Sequence, residues 1–160
     1  MRALTIALLF CYSTSLLAQE VEIKKEFYPN NSLKSTLSYY KELQKSYLKI
    51  FFENGKMKEE GWMINNKKND YWIFYYSNGK KKSEGHFVNG KETDWWVFYN
   101  KTGQKTHEGH YSGKVKNGFH HIYENGKPKY AGHYENDKKV GTWVTLNKKG
   151  DYIDIIEYGE

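Results

Sequence analysis

The strongest constraint on this chain is a period of 23 to 24 residues. FFENGKMKEEGWM (51–63) and YYSNGKKKSEGHF (75–87) share one grammar: paired aromatics, Asn-Gly-Lys, a charged run, Glu-Gly, then a ring. Gly55, Gly79, Gly103, Gly126 and Gly150 step by 24, 24, 23 and 24 residues. A second glycine follows each of the first four after six residues, at Gly61, Gly85, Gly109 and Gly132. Nine residues on stand Asp70, Asp94, Gly118 and Gly141, and two further Trp72, Trp96, His120 and Trp143. Anchors that keep step over five periods require a repeat architecture. The one missing residue falls between Gly118 and Gly126, where a turn is shortened.

A single unit reads as a β-hairpin. In YWIFYYSNGKKKSEGHFV (71–88), an aromatic and β-branched run leads into Asn-Gly and then into a second run of similar length, the strongest short-range hairpin signal. Alternation places Trp72, Phe74 and Tyr76 on one face and Tyr71, Ile73 and Tyr75 on the other. A lone hairpin is marginal in water, so the units must stack. The expected fold is all-β, an elongated single-layer antiparallel sheet of stacked hairpins joined by polar loops such as 65–69 and 89–93. Glycines inside the second strand weaken a sheet unless space is needed, so Gly61, Gly85, Gly109 and Gly132 are expected to receive a large ring, the tryptophan column, from the next strand. Gly55, Gly79, Gly103, Gly126 and Gly150 are the turn glycines.

Residues 1–18 read as a secretory signal peptide: Arg2, an apolar run from Ala3 to Tyr12, and Leu-Leu-Ala before Gln19. Cleavage near Ala18 implies a secreted, periplasmic or envelope location and removes Cys11, the single cysteine; Phe10 before Cys11 argues against lipidation. No disulfide or thiol chemistry then remains. Residues 19–26 read as a polar lead, 27–46 as a worn N-terminal repeat, and 47–158 as the repeat array. Leu33, Leu37, Tyr40 and Tyr47 also fit one face of a helix, a rival to the worn repeat. Past residue 18 the chain has 24 lysines against 19 acids, a balance of +5, and no arginine. Lysine alone is the composition of a solubilising surface rather than of bidentate phosphate recognition. Nucleic acid is therefore not expected as a partner.

Catalytic chemistry finds little footing. His86, His110 and His133 recur after the second glycine, but equivalent residues lie two strands apart, about 9.6 Å, too far to share one zinc. Glu60, Glu84 and Glu108 return with every unit beside the Lys58 and Lys82 positions and read as a solvated, salt-linked surface. Hydrolase, metalloprotease, phosphate-loop and dinucleotide motifs are missing from the sequence. Neither metal nor cofactor is expected. The irregular patch 119–123, with His120, His121 and Tyr123, is the single site-like candidate.

The units FFENGKMKEEG and YYSNGKKKSEG, the Asp or Gly two residues before Trp, and the period together resemble the bacterial variant of the MORN repeat, often labelled an antitoxin component of the YwqK type. The resemblance runs over roughly 27–158, and the last unit departs from it with Asp154-Ile155-Ile156 and a Lys149-Gly150 turn, as a C-terminal cap would. It implies a scaffold or a membrane and lipid-headgroup binder, and the label implies toxin neutralisation. The expectation is a monomeric, non-enzymatic interaction scaffold that docks a protein partner. Its surface is expected at Trp72, Phe74, Tyr76, Trp96, Phe98, His120, Tyr123 and Trp143. The alternatives are a glycan or cell-wall ligand and an anionic lipid surface.

Overall fold

A computed structural model describes residues 21–159; the leader read over 1–18 lies outside them. The first six strands are β1 (Val21–Phe27), β2 (Leu33–Tyr40), β3 (Lys45–Phe51), β4 (Met57–Ile64), β5 (Lys67–Tyr75) and β6 (Lys81–Val88). The second six are β7 (Lys91–Tyr99), β8 (Lys105–Ser112), β9 (Val115–Glu124), β10 (Lys127–Glu135), β11 (Lys138–Leu146) and β12 (Tyr152–Tyr158). All twelve lie in one open sheet in sequence order, each antiparallel to the next. The all-β, single-layer hairpin array expected from the period is the observed fold.

Two kinds of turn alternate along the two sides of this meander. On one side, five-residue turns close with two backbone bonds, as in Phe52 N–H to Lys56 O and Gly55 N–H to Phe52 O, repeated at Tyr76, Asn100 and Asn147. Gly55 sits at φ 78°, which a side chain resists. The shortened unit replaces this turn with the two residues Asn125 and Gly126, both at positive φ. On the other side the polar segments 65–69 and 89–93 are not open loops. Asn65-Asn66, Asn89-Gly90 and Asn136-Asp137 are two-residue turns at positive φ, the geometry that matches strand twist, and the neighbouring lysines already belong to strands.

The period also reaches further upstream than the polar lead. Strand β1 lies one repeat, 24 residues, before β3, from Val21 against Lys45 to Phe27 against Phe51. The turn at Tyr28 closes as the turn at Phe52 does, with Asn31 at φ 64° in the glycine position. Leu33 to Tyr40 is strand, so the helical spacing there does not produce a helix: its hydrogen-bond partners are already supplied by β1 and β3.

A one-layer sheet has no second layer to bury its rings, and glycine supplies the substitute. Gly61 and Gly85 pair with the tryptophan of the following strand, Trp72 and Trp96, and Gly132 lies under the Trp143 ring at a register shift. A Cβ at any of these glycines would overlap the indole. The ring therefore lies flat across its neighbour's backbone, and its Nε1 donates to the carbonyl one residue past that glycine: Trp72 to Trp62 O at 2.8 Å, Trp96 to His86 O at 3.2 Å, Trp143 to His133 O at 3.0 Å. Phe74, Phe87, Phe98 and Tyr111 fill between the indoles. Lysine stems roof the ladder, with Lys68 Nζ 4.1 Å from the Trp72 ring centre and Lys139 Nζ 4.3 Å from that of Trp143, a cation over an aromatic face.

Candidate interaction surface

The structure puts the expected interaction residues mostly in the core. Trp72, Trp96, Trp143 and His120 are at most 2% exposed, and Phe74 and Phe98 are half-buried among them. They are unavailable to a partner because the glycine hollows have drawn the rings flat onto the sheet. Tyr76 is half-buried too, its hydroxyl donating to Tyr99 O at 2.7 Å and so tying one five-residue turn to the next. The 119–123 patch is regular strand rather than an irregular site. His120 takes the tryptophan position over Gly109, and its Nε2 lies 2.8 Å from His110 O. A carbonyl only accepts, so Nε2 carries the proton and imidazole substitutes for indole. The recurring His86, His110 and His133 pack edge-on against Tyr71, Trp95 and Phe119, as Trp62 does against Tyr47. Among the described residues, no group of three or more His, Cys, Asp or Glu is placed to hold a metal.

The opposite face carries a polar device that the sequence reading took for a solvated surface. Glu84 and Glu108 are buried. Glu84 accepts from Tyr99 Oη at 2.6 Å and from Lys81 Nζ at 2.6 Å, with Tyr71 as a third donor. Glu60 accepts from Tyr75 at 2.7 Å and Tyr47 at 3.1 Å. Glu108 accepts from Tyr123 and, at 2.8 Å, from Lys105, while Trp95 stands in the Tyr71 position and His121 lies alongside. Burial works against the charged form, yet the hydrogen bonds from Lys81, Tyr99 and Tyr71 hold Glu84 below the usual carboxylate range; Lys105 and Tyr123 do the same for Glu108. The tyrosines move the other way, with burial and the carboxylate raising Tyr71 to about 12. Each such clamp joins three strands. The lysines involved are Lys81 and Lys105, not the Lys58 and Lys82 positions.

In the fourth unit the clamp is gone. Where the earlier units place Lys81 and Lys105, Glu84 and Glu108, Tyr99 and Tyr123, and Tyr71 and Trp95, the last places Pro128, Ala131, Leu146 and Phe119. These four, with Val144 and Tyr152, line an open trough of about 880 Å³ on the clamp face. A second hollow shares Pro128 and Leu146 with it and is rimmed by Lys127, Lys129 and Lys148, with Glu124 as its acid. Beyond the trough lies the outer edge of β12, where Ile153 and Ile155 are 58% and 62% exposed. No residue signal marks this region until the clamp is seen in three dimensions, because apolar residues in a strand read as ordinary sheet.

Comparison with known proteins agrees with the hairpin register. Residues 47–65, 71–89 and 121–136 match the family described as MORN repeat variant, segments that fall on β3–β4, β5–β6 and β9–β10. No curated protein matches the chain. Among solved structures, the crystal structure of TarM aligns at 11% identity over 61% of this chain and 20% of that one, with a TM-score of 0.40. An S. aureus TarM mutant in complex with Fondaparinux, alpha-GlcNAc-glycerol and UDP aligns at 15% identity over 74% of this chain and 19% of that one, with a TM-score of 0.33. The chain thus corresponds to about a fifth of those proteins. What the sequence matches directly is the repeat: three of the hairpin units are similar to the MORN repeat variant.

Proposed function

We propose that the protein is a non-enzymatic scaffold, exported by its leader to the cell envelope, that docks a partner protein at the C-terminal end of its sheet. The observation that supports this reading is the contrast between the sheet's two edges. Edge strand β1 exposes Ile23 and Phe27 but sets Glu22, Lys24, Lys25 and Glu26 among them, charges of the kind that blunt an edge against pairing. Edge strand β12, YIDIIEY, exposes Tyr152, Ile153, Ile155 and Ile156 beside unpaired backbone groups. Among the described residues this edge is free, and with Asp154 and Glu157 as its only charges it suits strand addition by an extended segment of another chain. Neutralisation of a toxin, as the antitoxin label implies, is one form such docking can take.

The test is photo-cross-linking in the native cell, with a benzophenone side chain placed at Ile155 or at Lys25. One adduct at Ile155 that Lys25 does not give, lost with Ile153→Lys, is the expected result. Equal labelling from both edges, or none from Ile155, contradicts the reading.

A further inference from the structure

The trough beside β12 has a history written in its positions. Losing the clamp carboxylate alone would leave the tyrosine hydroxyls and the lysine without their acceptor. Here the lysine, carboxylate and tyrosine positions carry Pro128, Ala131 and Leu146, with Phe119 beside them, so no clamp hydroxyl or ammonium is stranded; the polar atom without a hydrogen-bond partner at the trough's wall is His121 Nδ1. The exchange is neutral for the sheet but not for its surface, since it opens an apolar hollow where three earlier units have a filled polar one. Its volume of about 880 Å³ lies within the range of ligand-binding clefts.

We infer that this trough is a binding site for an apolar polypeptide segment flanked by acidic residues. Phe119, Ala131, Val144 and Leu146 offer apolar surface to what enters, with His121, His133 and Thr142 as the polar members of the lining. At the end shared with the second hollow, Lys127, Lys129 and Lys148 face a single acid, Glu124, so that end complements negative charge, while Glu157 is held by Thr142 on the β12 side. Continuity with β12 selects the class of ligand: Ile153 and Ile155 extend the apolar surface to a free strand edge, whose backbone groups pair a polypeptide. A lipid has no backbone to offer them. The site rests on the scaffold reading and gives the partner its chemistry.

Two synthetic nonapeptides sharing a Leu-Val-Leu-Val-Leu centre, one flanked by paired aspartates and one by paired lysines, test the inference by titration against the full chain. The aspartate-flanked peptide is expected to bind about tenfold tighter at low salt, the combined worth of a few exposed ion pairs. Ala131→Glu with Leu146→Tyr, which rebuilds the clamp and fills the trough, is expected to abolish that binding with no loss of thermal stability. Ile155→Lys, by contrast, weakens strand addition while leaving the trough open, so the edge and the trough fail separately. Equal binding of the two peptides, or binding retained by the rebuilt clamp, overturns the assignment. So does association with phosphatidylglycerol vesicles that the same double substitution removes, since that makes the occupant a membrane.

Discussion

The clamp region, β3 to β9, and the terminal region, β9 to β12, share one backbone design and opposite chemistry on one face. In both, a ring lies over a glycine of the preceding strand and bonds the next carbonyl: Trp96 over Gly85 and Trp143 over Gly132. On the other face, the first region buries a carboxylate among tyrosines and a lysine, while the second leaves an apolar trough. The lesson is a division of labour within one repeat. The ring-and-glycine face maintains the sheet, and the other face varies, in part at Trp95 and wholly in the last unit.

The shared half of the comparison predicts the largest effects. Trp96→Ala and Trp143→Ala each remove a buried indole and should each destabilise by about 3–5 kcal/mol in urea denaturation. If the second proves much milder than the first, the two regions are not built alike. Next in size is the clamp. Glu84→Ala leaves the Tyr71 and Tyr99 hydroxyls and the Lys81 ammonium without their acceptor and should lower stability by about 1–3 kcal/mol.

The smallest expected effect is a change in acid sensitivity. His107, stacked on Phe98 at 4.1 Å, is lowered from its ordinary 6.5 to about 4, first by burial and then by the charges of Lys116 and His120. A depressed histidine is neutral in the fold and protonated when unfolded. Its stabilisation is therefore present above pH 6.5 and is lost as the pH falls from there toward 4. Burial lowers His120 in the same sense. The depressed Glu84 and Glu108 contribute above their ordinary 4.5 and lose that contribution only at lower pH. His107→Phe should flatten part of the stability profile between about pH 6.5 and 4 and leave the more acidic limb unchanged.

The fold was legible because its signals are local and periodic. Asn-Gly turns, alternating rings and strand glycines each dictate geometry within a few residues, and Gly61, Gly85 and Gly132 correctly announced a ring from the next strand. Strand β1 was not legible as strand, because Lys24 stands at the position of Leu48 and Glu22 at that of Ser46, which hides the repeat. The surface was misread for a physical reason. Tryptophan periodicity looks the same whether the rings face a partner or lie over glycine, and only the register distinguishes them. The clamp was invisible because Glu84 meets its tyrosines 13 residues upstream and 15 downstream, and recurring Glu and Lys look alike on a solvated face and in a buried network.

The central claim is that Ala131 and Leu146 stand at the positions equivalent to the clamp of the earlier units, and a double-mutant cycle tests it most directly. Ala131→Glu alone places a carboxylate opposite His121 but without the tyrosine and lysine donors of the clamp, and should destabilise the chain. Leu146→Tyr in the same molecule restores the donor that Tyr99 and Tyr123 provide in earlier units. The account predicts a favourable coupling of at least about 1 kcal/mol between the two substitutions, measured by urea denaturation. Strictly additive losses would mean that the terminal unit never shared the clamp geometry, and would contradict it.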